Sequence, residues 1–88
     1  MKVVYKAAFF KDLEKAREQR LRDAVAEIIE QIKHADNLPA LANVKKLQGS
    51  THYYRIRVGD YRLGFSAQDD TVTFIRFLHR KDIYRYFP

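Results

Sequence analysis

The chain has 88 residues, 47% of them apolar and 32% charged, with a formal net charge of +6 and no cysteine. A domain of this size buries about 60% of the surface its unfolded chain exposes, so one core is expected, and the apolar content excludes a disordered chain. Without cysteine there is no disulfide framework, thiolate zinc site or thiol catalysis, and a reducing cytoplasm is the natural setting. The basic charge draws the protein toward polyanions, nucleic acid first among them. Many small proteins are equally basic with no such partner, so charge alone does not choose.

The opening "MKVVYKAAFFK" is apolar, but Lys6 and Lys11 interrupt it well short of a signal peptide or membrane span, and no export is expected. Its β-branched and aromatic residues predict a short strand over 2–6. "AFFKDLEKA" then reads as a helix with Phe9 or Phe10, Leu13 and Ala16 on its apolar face. Leu21, Ala24, Val25, Ile28, Ile29 and Ile32 recur at three- and four-residue steps, the stripe of a second amphipathic helix. Arg17 and Arg20 fall where a continuous stripe needs apolar residues, which favours two antiparallel helices. On the polar face Glu18 precedes Arg22 by four and Glu30 precedes His34 by four, spacings that suit surface pairs.

"HADNLPALAN" ends the helical region, because the residue before Pro39 is pushed out of helical geometry. "VKKLQGS" leads on to three runs rich in Val, Ile, Tyr, Phe and Thr, at 52–58, 61–67 and 71–78, which predict an antiparallel meander. No repeat or linker divides the chain. The expected fold is a single α+β domain over 1–88: an N-terminal strand and two antiparallel helices on a mainly antiparallel twisted sheet of about four strands.

"YYRIRVGDYRLGF" carries the most chemistry. Gly59 and Asp60 separate two strands as a two-residue hairpin turn. Pairing Val58 with Tyr61 then places Arg57 opposite Arg62, Ile56 opposite Leu63 and Arg55 opposite Gly64. Alternation sends Tyr54, Ile56, Val58, Tyr61, Leu63 and Phe65 toward the helices, and Arg55, Arg57 and Arg62 to the other face. Two arginines directly opposed repel one another. Either a bound anion such as phosphate offsets this, for which planar guanidinium donors are well matched, or the side chains splay into solvent or pair with Asp60, Asp69 or Asp70.

At "SAQDDTV" a two-residue turn on Asp69 and Asp70 would send Arg76 into the core, whereas an odd-length loop would swing it to the arginine face. Burying an unpaired guanidinium is costly, so the odd loop is expected, with Ile75 and Phe77 inward. The strand then delivers His79 and Arg80 to the sheet end, and "HRKDIYRYFP" folds Tyr84 back over the arginine face, with Phe77, Ile83 and Phe87 as anchors. A concave, basic, aromatic-edged surface is the general form of a single-stranded RNA site.

The order of elements, the GDYR turn with its basic pair, and the terminal HRKDIY together resemble the RelE branch of the RelE/ParE toxin superfamily, across nearly the whole chain. The resemblance implies a microbial-RNase-like fold and a type II toxin that cuts mRNA in the ribosomal A site without metal or cofactor. In that chemistry a 2′-hydroxyl attacks the adjacent phosphate, leaving a cyclic phosphate and a free 5′-hydroxyl. It implies that Arg57 and Arg55 stand beside the scissile phosphate, that Arg62 stabilises its developing charge, and that Arg80, with Lys81 able to share the role, lies near the leaving oxygen. Tyr84 would orient or deprotonate the nucleophile. Arg76, Lys45, Lys46 and Arg85 complete the expected RNA-binding set, and a RelB-like antitoxin, the ribosome and mRNA are the implied partners.

One well-known form of the pattern has lysines where this chain has Arg55 and Arg57. Arginine stays charged and makes a poor general base, so the base is either Tyr84 or His79. His79 also reads as a strand-end residue hydrogen-bonded to backbone. Lys11, Lys15, Arg20 and Arg22 are candidates for nonspecific phosphate contacts. His34 and His52 show no ligand spacing, so no metal site is assigned. Two rival functions stand beside the ribonuclease: a ParE-like inhibitor of DNA gyrase, and a basic RNA-binding module without turnover.

Overall fold

A computed structural model describes residues 1–38 and 44–88. The elements run β1 (Lys2–Tyr5), α1 (Ala7–Lys15), α2 (Gln19–His34), β2 (Val44–Lys46), β3 (Tyr53–Val58), β4 (Tyr61–Gln68), β5 (Thr71–His79) and α3 (Arg80–Tyr86). They build one sheet in the order β1-β5-β4-β3-β2, with β1 parallel to β5 and every other pair antiparallel. The sheet thus has five strands, not about four. The added strand is β2, three residues of "VKKLQGS" too short to show a period, recruited when Val44, Lys45 and Lys46 pair with Ile56, Arg55 and Tyr54. Half of the expected "HADNLPALAN" loop, residues 39–43, lies outside the described residues.

The core lies between one face of the sheet and helices α1 and α2. Phe9 of α1, Val25 and Ile32 of α2, and Ile56, Leu63, Phe65, Val72, Phe74 and Phe77 of the strands are buried together. Each such aliphatic or aromatic side chain contributes about 1.5–3 kcal/mol by leaving water. Of the two candidate phenylalanines it is Phe9 that enters the core, stacking near Phe74 and Tyr5, while Phe10 stays half exposed.

The helices break at Ala16–Glu18. The N–H of Ala16 closes the last turn of α1 on the Asp12 carbonyl, and Arg22 reaches back to the carbonyls of Ala16 and Glu14 at 2.9 Å each. The last carbonyls of a helix lack intrahelical donors, which makes them strong partners for a guanidinium. Arg22 is therefore not paired with Glu18. Glu18 precedes α2 with extended backbone, so the helical spacing does not reach it, and it bonds Arg20 instead. Glu30 and His34, both inside α2, do approach, to 3.6 Å.

Between β4 and β5 the structure corrects the expected loop. The turn has two residues, Asp69 and Asp70, both with positive φ (51° and 66°), the geometry that suits a twisted hairpin. Phe65 pairs with Phe74 but Gly64 pairs with Arg76, so Ile75 is an extra residue in β5. This bulge shifts the alternation by one: Phe74 and Phe77 both enter the core, Ile75 is only half buried, and Arg76 escapes to the far side of the sheet. The cost of burying Arg76 is avoided by a bulge within the strand rather than by a longer loop.

Candidate nucleic-acid interface

The β3–β4 register follows the GDYR turn: Val58 pairs with Tyr61, Arg57 with Arg62, Ile56 with Leu63 and Arg55 with Gly64. Directly paired residues share a face. Lys45, Arg55, Gly64 and Arg76 consequently form one row across four strands, and Arg57, Arg62 and Leu78 a second, nearer the hairpin turn. Both rows start on the side away from α1 and α2, where α3 crosses the sheet, and the Arg76 side chain leaves it past the end of β1, at the open edge of β5, to reach Asp12 on α1.

The opposed arginines resolve their repulsion by diverging. Arg62 curls back so that its Nη1 donates to the carbonyls of Gly59 (3.0 Å) and Tyr61 (2.9 Å), while Arg57 is exposed. Arg55 lies under the ring of Tyr84, 4.6 Å from its centroid, a cation–π contact. Among the described residues the ion pairs involve Arg20, Lys33, His34 and Arg76, so no carboxylate of the chain neutralises Arg55, Arg57, Arg62 or Arg80. Beside Arg55 a pocket of about 410 Å³ opens between β2 and α3, lined by Lys45, Lys46, Ile83, Tyr84 and Phe87 among others. Lys46 pairs with Tyr54, so it reaches this pocket from the sheet's edge strand rather than from the row of Lys45.

The terminus is a helix, not a frayed tail. His79 pairs with Tyr61 and then caps α3, its Nδ1 accepting the N–H of Lys81 at 3.1 Å. The Arg80 N–H donates to the Asp60 carbonyl at 2.7 Å, fastening the helix start to the hairpin turn. Phe77, Ile83 and Phe87 are buried as anchors, and Tyr84 is left 66% exposed above Arg55. The backbone bonds of Arg80 and Lys81 tie both residues to the hairpin end, with their side chains in solvent. Exposed Arg85 stands beside the Tyr86 ring.

Arg76 differs from the other arginines. Its Nε and Nη2 donate to both oxygens of Asp12, at 2.7 and 3.0 Å, and the Asp12 carboxylate also accepts the N–H of Phe77 at 3.0 Å. The hydrogen bond to Asp12 holds the Arg76 guanidinium above its usual pKa against the opposing pull of burial. Its charge is spent within the protein, so it is not a free phosphate contact. Sequence reasoning passed over Asp12. A signal existed, because Asp12 falls three residues after Phe9 and four before Ala16, on the face of α1 that faces the core. Lys11, Arg20 and Arg22 belong to the α1–α2 layer, across the sheet from the arginine rows, and Arg22 is occupied by the α1 carbonyls.

The family described as the ParE toxin of the type II toxin–antitoxin system, parDE, matches residues 3–84. Toxin RelE3 of Methanocaldococcus jannaschii is 45% identical over 89 residues, covering all of both chains. In the crystal structure of a RelB–RelE antitoxin–toxin complex from Methanococcus jannaschii, a chain 42% identical aligns at a TM-score of 0.81 over 97% of this chain and 99% of that one. A RelE–RelB complex from Pyrococcus horikoshii OT3, at 22% identity and covering 90% and 93% of the two chains, shares the fold at a TM-score of 0.73. With its five-stranded sheet, opposed arginines and a match that spans nearly every residue, this chain belongs to the RelE/ParE superfamily of type II toxins, as a RelE-like member.

Proposed function

We propose that this toxin is a ribosome-dependent endoribonuclease that cleaves mRNA in the ribosomal A site and so stops translation in the cytoplasm. The observation that carries the reading is the set of cations Arg55, Arg57 and Arg62 on one sheet face, with exposed Tyr84 over Arg55 and Arg80 at the start of α3, and with no carboxylate paired to them among the described residues. Such a surface wants an anion, and a phosphodiester fits planar donors flanked by a stacking ring. In the reaction the 2′-oxygen bonds to phosphorus, the bond from phosphorus to the 5′-oxygen breaks, and the products are a cyclic phosphate and a 5′-hydroxyl. Arg57 and Arg62 stabilise the charge that builds on the phosphate, typically the largest contribution to such catalysis. The contact of Arg62 with the Gly59 carbonyl is exposed, so water or a phosphate oxygen can take its place. Arg80 stands toward the leaving oxygen and steadies its charge until water protonates it to the 5′-hydroxyl, and Tyr84 orients the 2′-hydroxyl and, acting as the phenolate, receives its proton. The capping bond at His79 Nδ1 favours a structural role there. No metal or cofactor takes part in this scheme.

Arg55, Lys45, Lys46, Lys81 and Arg85 supply contacts to the RNA backbone. The partner that silences the toxin is a RelB-like antitoxin, as in the archaeal complexes with RelE. A gyrase inhibitor of ParE type would need neither the arginines nor Tyr84. The deciding experiment adds purified protein to programmed 70S ribosomes and maps mRNA ends, beside a gyrase supercoiling assay. Cleavage in the A site, lost in Arg62→Ala and Tyr84→Ala, is expected. Binding to ribosomes without cleavage, or inhibition of gyrase, overturns the proposal.

A further inference from the structure

Gly64 stands in the middle of β4, a central strand, where glycine has no side chain to pack and weakens the element. Its backbone does not call for glycine, since the positive-φ glycines are Gly49 and Gly59, and the extra residue of the neighbouring bulge is Ile75 on β5. Packing does call for it. A Cβ at position 64 would lie 2.8 Å from Cγ and Cδ1 of Phe87 and 2.9 Å from Cδ2, so the ring lies directly on the glycine. These are the near atoms of the ring, and Phe87 is 6% exposed with Tyr53 edge-on at 5.9 Å, so the ring cannot swing aside and stay buried.

We infer that Gly64 is a positioning residue for Tyr84, acting through Phe87: the missing side chain is the seat that fixes how deeply α3 settles on the sheet. The catalytic weight of this inference rests on the function proposed above. Helix α3 has seven residues and is too short to hold its own conformation. Its apolar anchors are Ile83 within the helix and Phe87 just after it, and Tyr84 projects outward between them with its ring on Arg55. The Phe87 N–H closes the last turn on the Ile83 carbonyl at 2.9 Å, so lifting Phe87 also opens the turn that carries Tyr84. A methyl group at position 64 therefore moves the phenol relative to Arg55 and its neighbouring cations without altering a single charge.

The test compares the full-length wild type, Gly64→Ala, Phe87→Ala and the double variant by NMR and by mRNA cleavage on programmed ribosomes. In the wild type the Gly64 Hα protons, shielded by the Phe87 ring, resonate upfield, and NOEs join the Tyr84 ring to the Arg55 side chain. Each single variant is expected to lose the Tyr84–Arg55 NOEs and to lower kcat by about a hundredfold at unchanged KM, the scale of a misplaced catalytic group. The double variant is expected to be no worse than the worse single one, because both remove the same seat. Retained NOEs and kcat in Gly64→Ala, or losses that add in the double variant, overturn the inference. Should the wild type leave mRNA intact, the ribonuclease proposal fails and the NOEs alone decide: lost in both single variants they uphold the seat, and kept they refute it. Should Gly64→Ala not fold, Phe87→Ala removes the same contact from the helix side and decides by the same readouts.

Discussion

His79 shows how one side chain is committed by its neighbours. Its Nδ1 accepts the Lys81 N–H and so satisfies one of the unpaired donors at the start of α3, which is work that asparagine does equally well. His79→Asn is therefore expected to keep both folding and mRNA cleavage. His79→Ala is expected to lose about 1 kcal/mol of stability in urea unfolding, the usual value of a cap. Loss of cleavage in a well-folded His79→Asn protein would transfer the proton-accepting role from Tyr84 to His79. At this scale the two candidate bases were legible in "HRKDIY", as was the backbone-bonded alternative for His79. The cap itself was not legible there, since a cap exists only where there is a helix to cap, and that helix begins at Arg80.

Among the elements, β5 and α1 are joined by Asp12. β1 pairs with β5 only as far as Phe74, and beyond that point the Phe77 N–H is met by the Asp12 carboxylate, which also grips Arg76. Asp12→Ala leaves a guanidinium and an amide without their acceptor, and is expected to cost about 3 kcal/mol in urea unfolding, the low end for breaking a buried pair because the Arg76 side chain keeps 25% of its exposure. Adding Arg76→Met to Asp12→Leu should recover part of this loss, since an apolar pair of similar volume avoids the desolvation of two charges. Recovery stays incomplete because the Phe77 N–H remains unmatched. The hairpin at Gly59 and Asp60 was legible residue by residue, because a two-residue turn leaves one register. The next hairpin was not. Its turn is equally short, but the bulge at Ile75 is the fifth residue of β5, and no local signal there outweighs the alternation of Phe74, Ile75, Arg76 and Phe77.

On the scale of the whole molecule, the sheet divides the net charge of +6 between two layers. Arg55, Arg57, Arg62 and Arg80 lie on the α3 side, and Lys11 and Arg20 on the side of α1 and α2. If Arg55, Arg57, Arg62, Arg80, Lys45, Lys46, Lys81 and Arg85 contact phosphates as proposed, the logarithm of affinity for a single-stranded RNA oligonucleotide is expected to fall with the logarithm of salt concentration at a slope of about −6. Each arginine replaced by alanine on the α3 side should make that slope shallower by about 0.7. Lys11→Ala and Arg20→Ala should leave it unchanged, because their layer faces away from the proposed RNA surface. An equal effect from both layers would mean diffuse attraction rather than a site.

Local pattern in the chain was enough for α1 and α2, the β3–β4 register and the opposed arginines, because apolar spacing and a two-residue turn act over a few residues and admit one arrangement each. It was also enough to carry the likeness to RelE toxins. Tertiary packing alone decided the rest. Strand β2 forms because β3 offers it an edge, Arg76 reaches round the open edge of β5 because Asp12 waits on α1, and Gly64 stays bare because Phe87 arrives from 23 residues farther along the chain. Each of these is a contact between segments remote in sequence. Its partner is set by how the sheet and helices close on one another, and no window of neighbouring residues contains that closure.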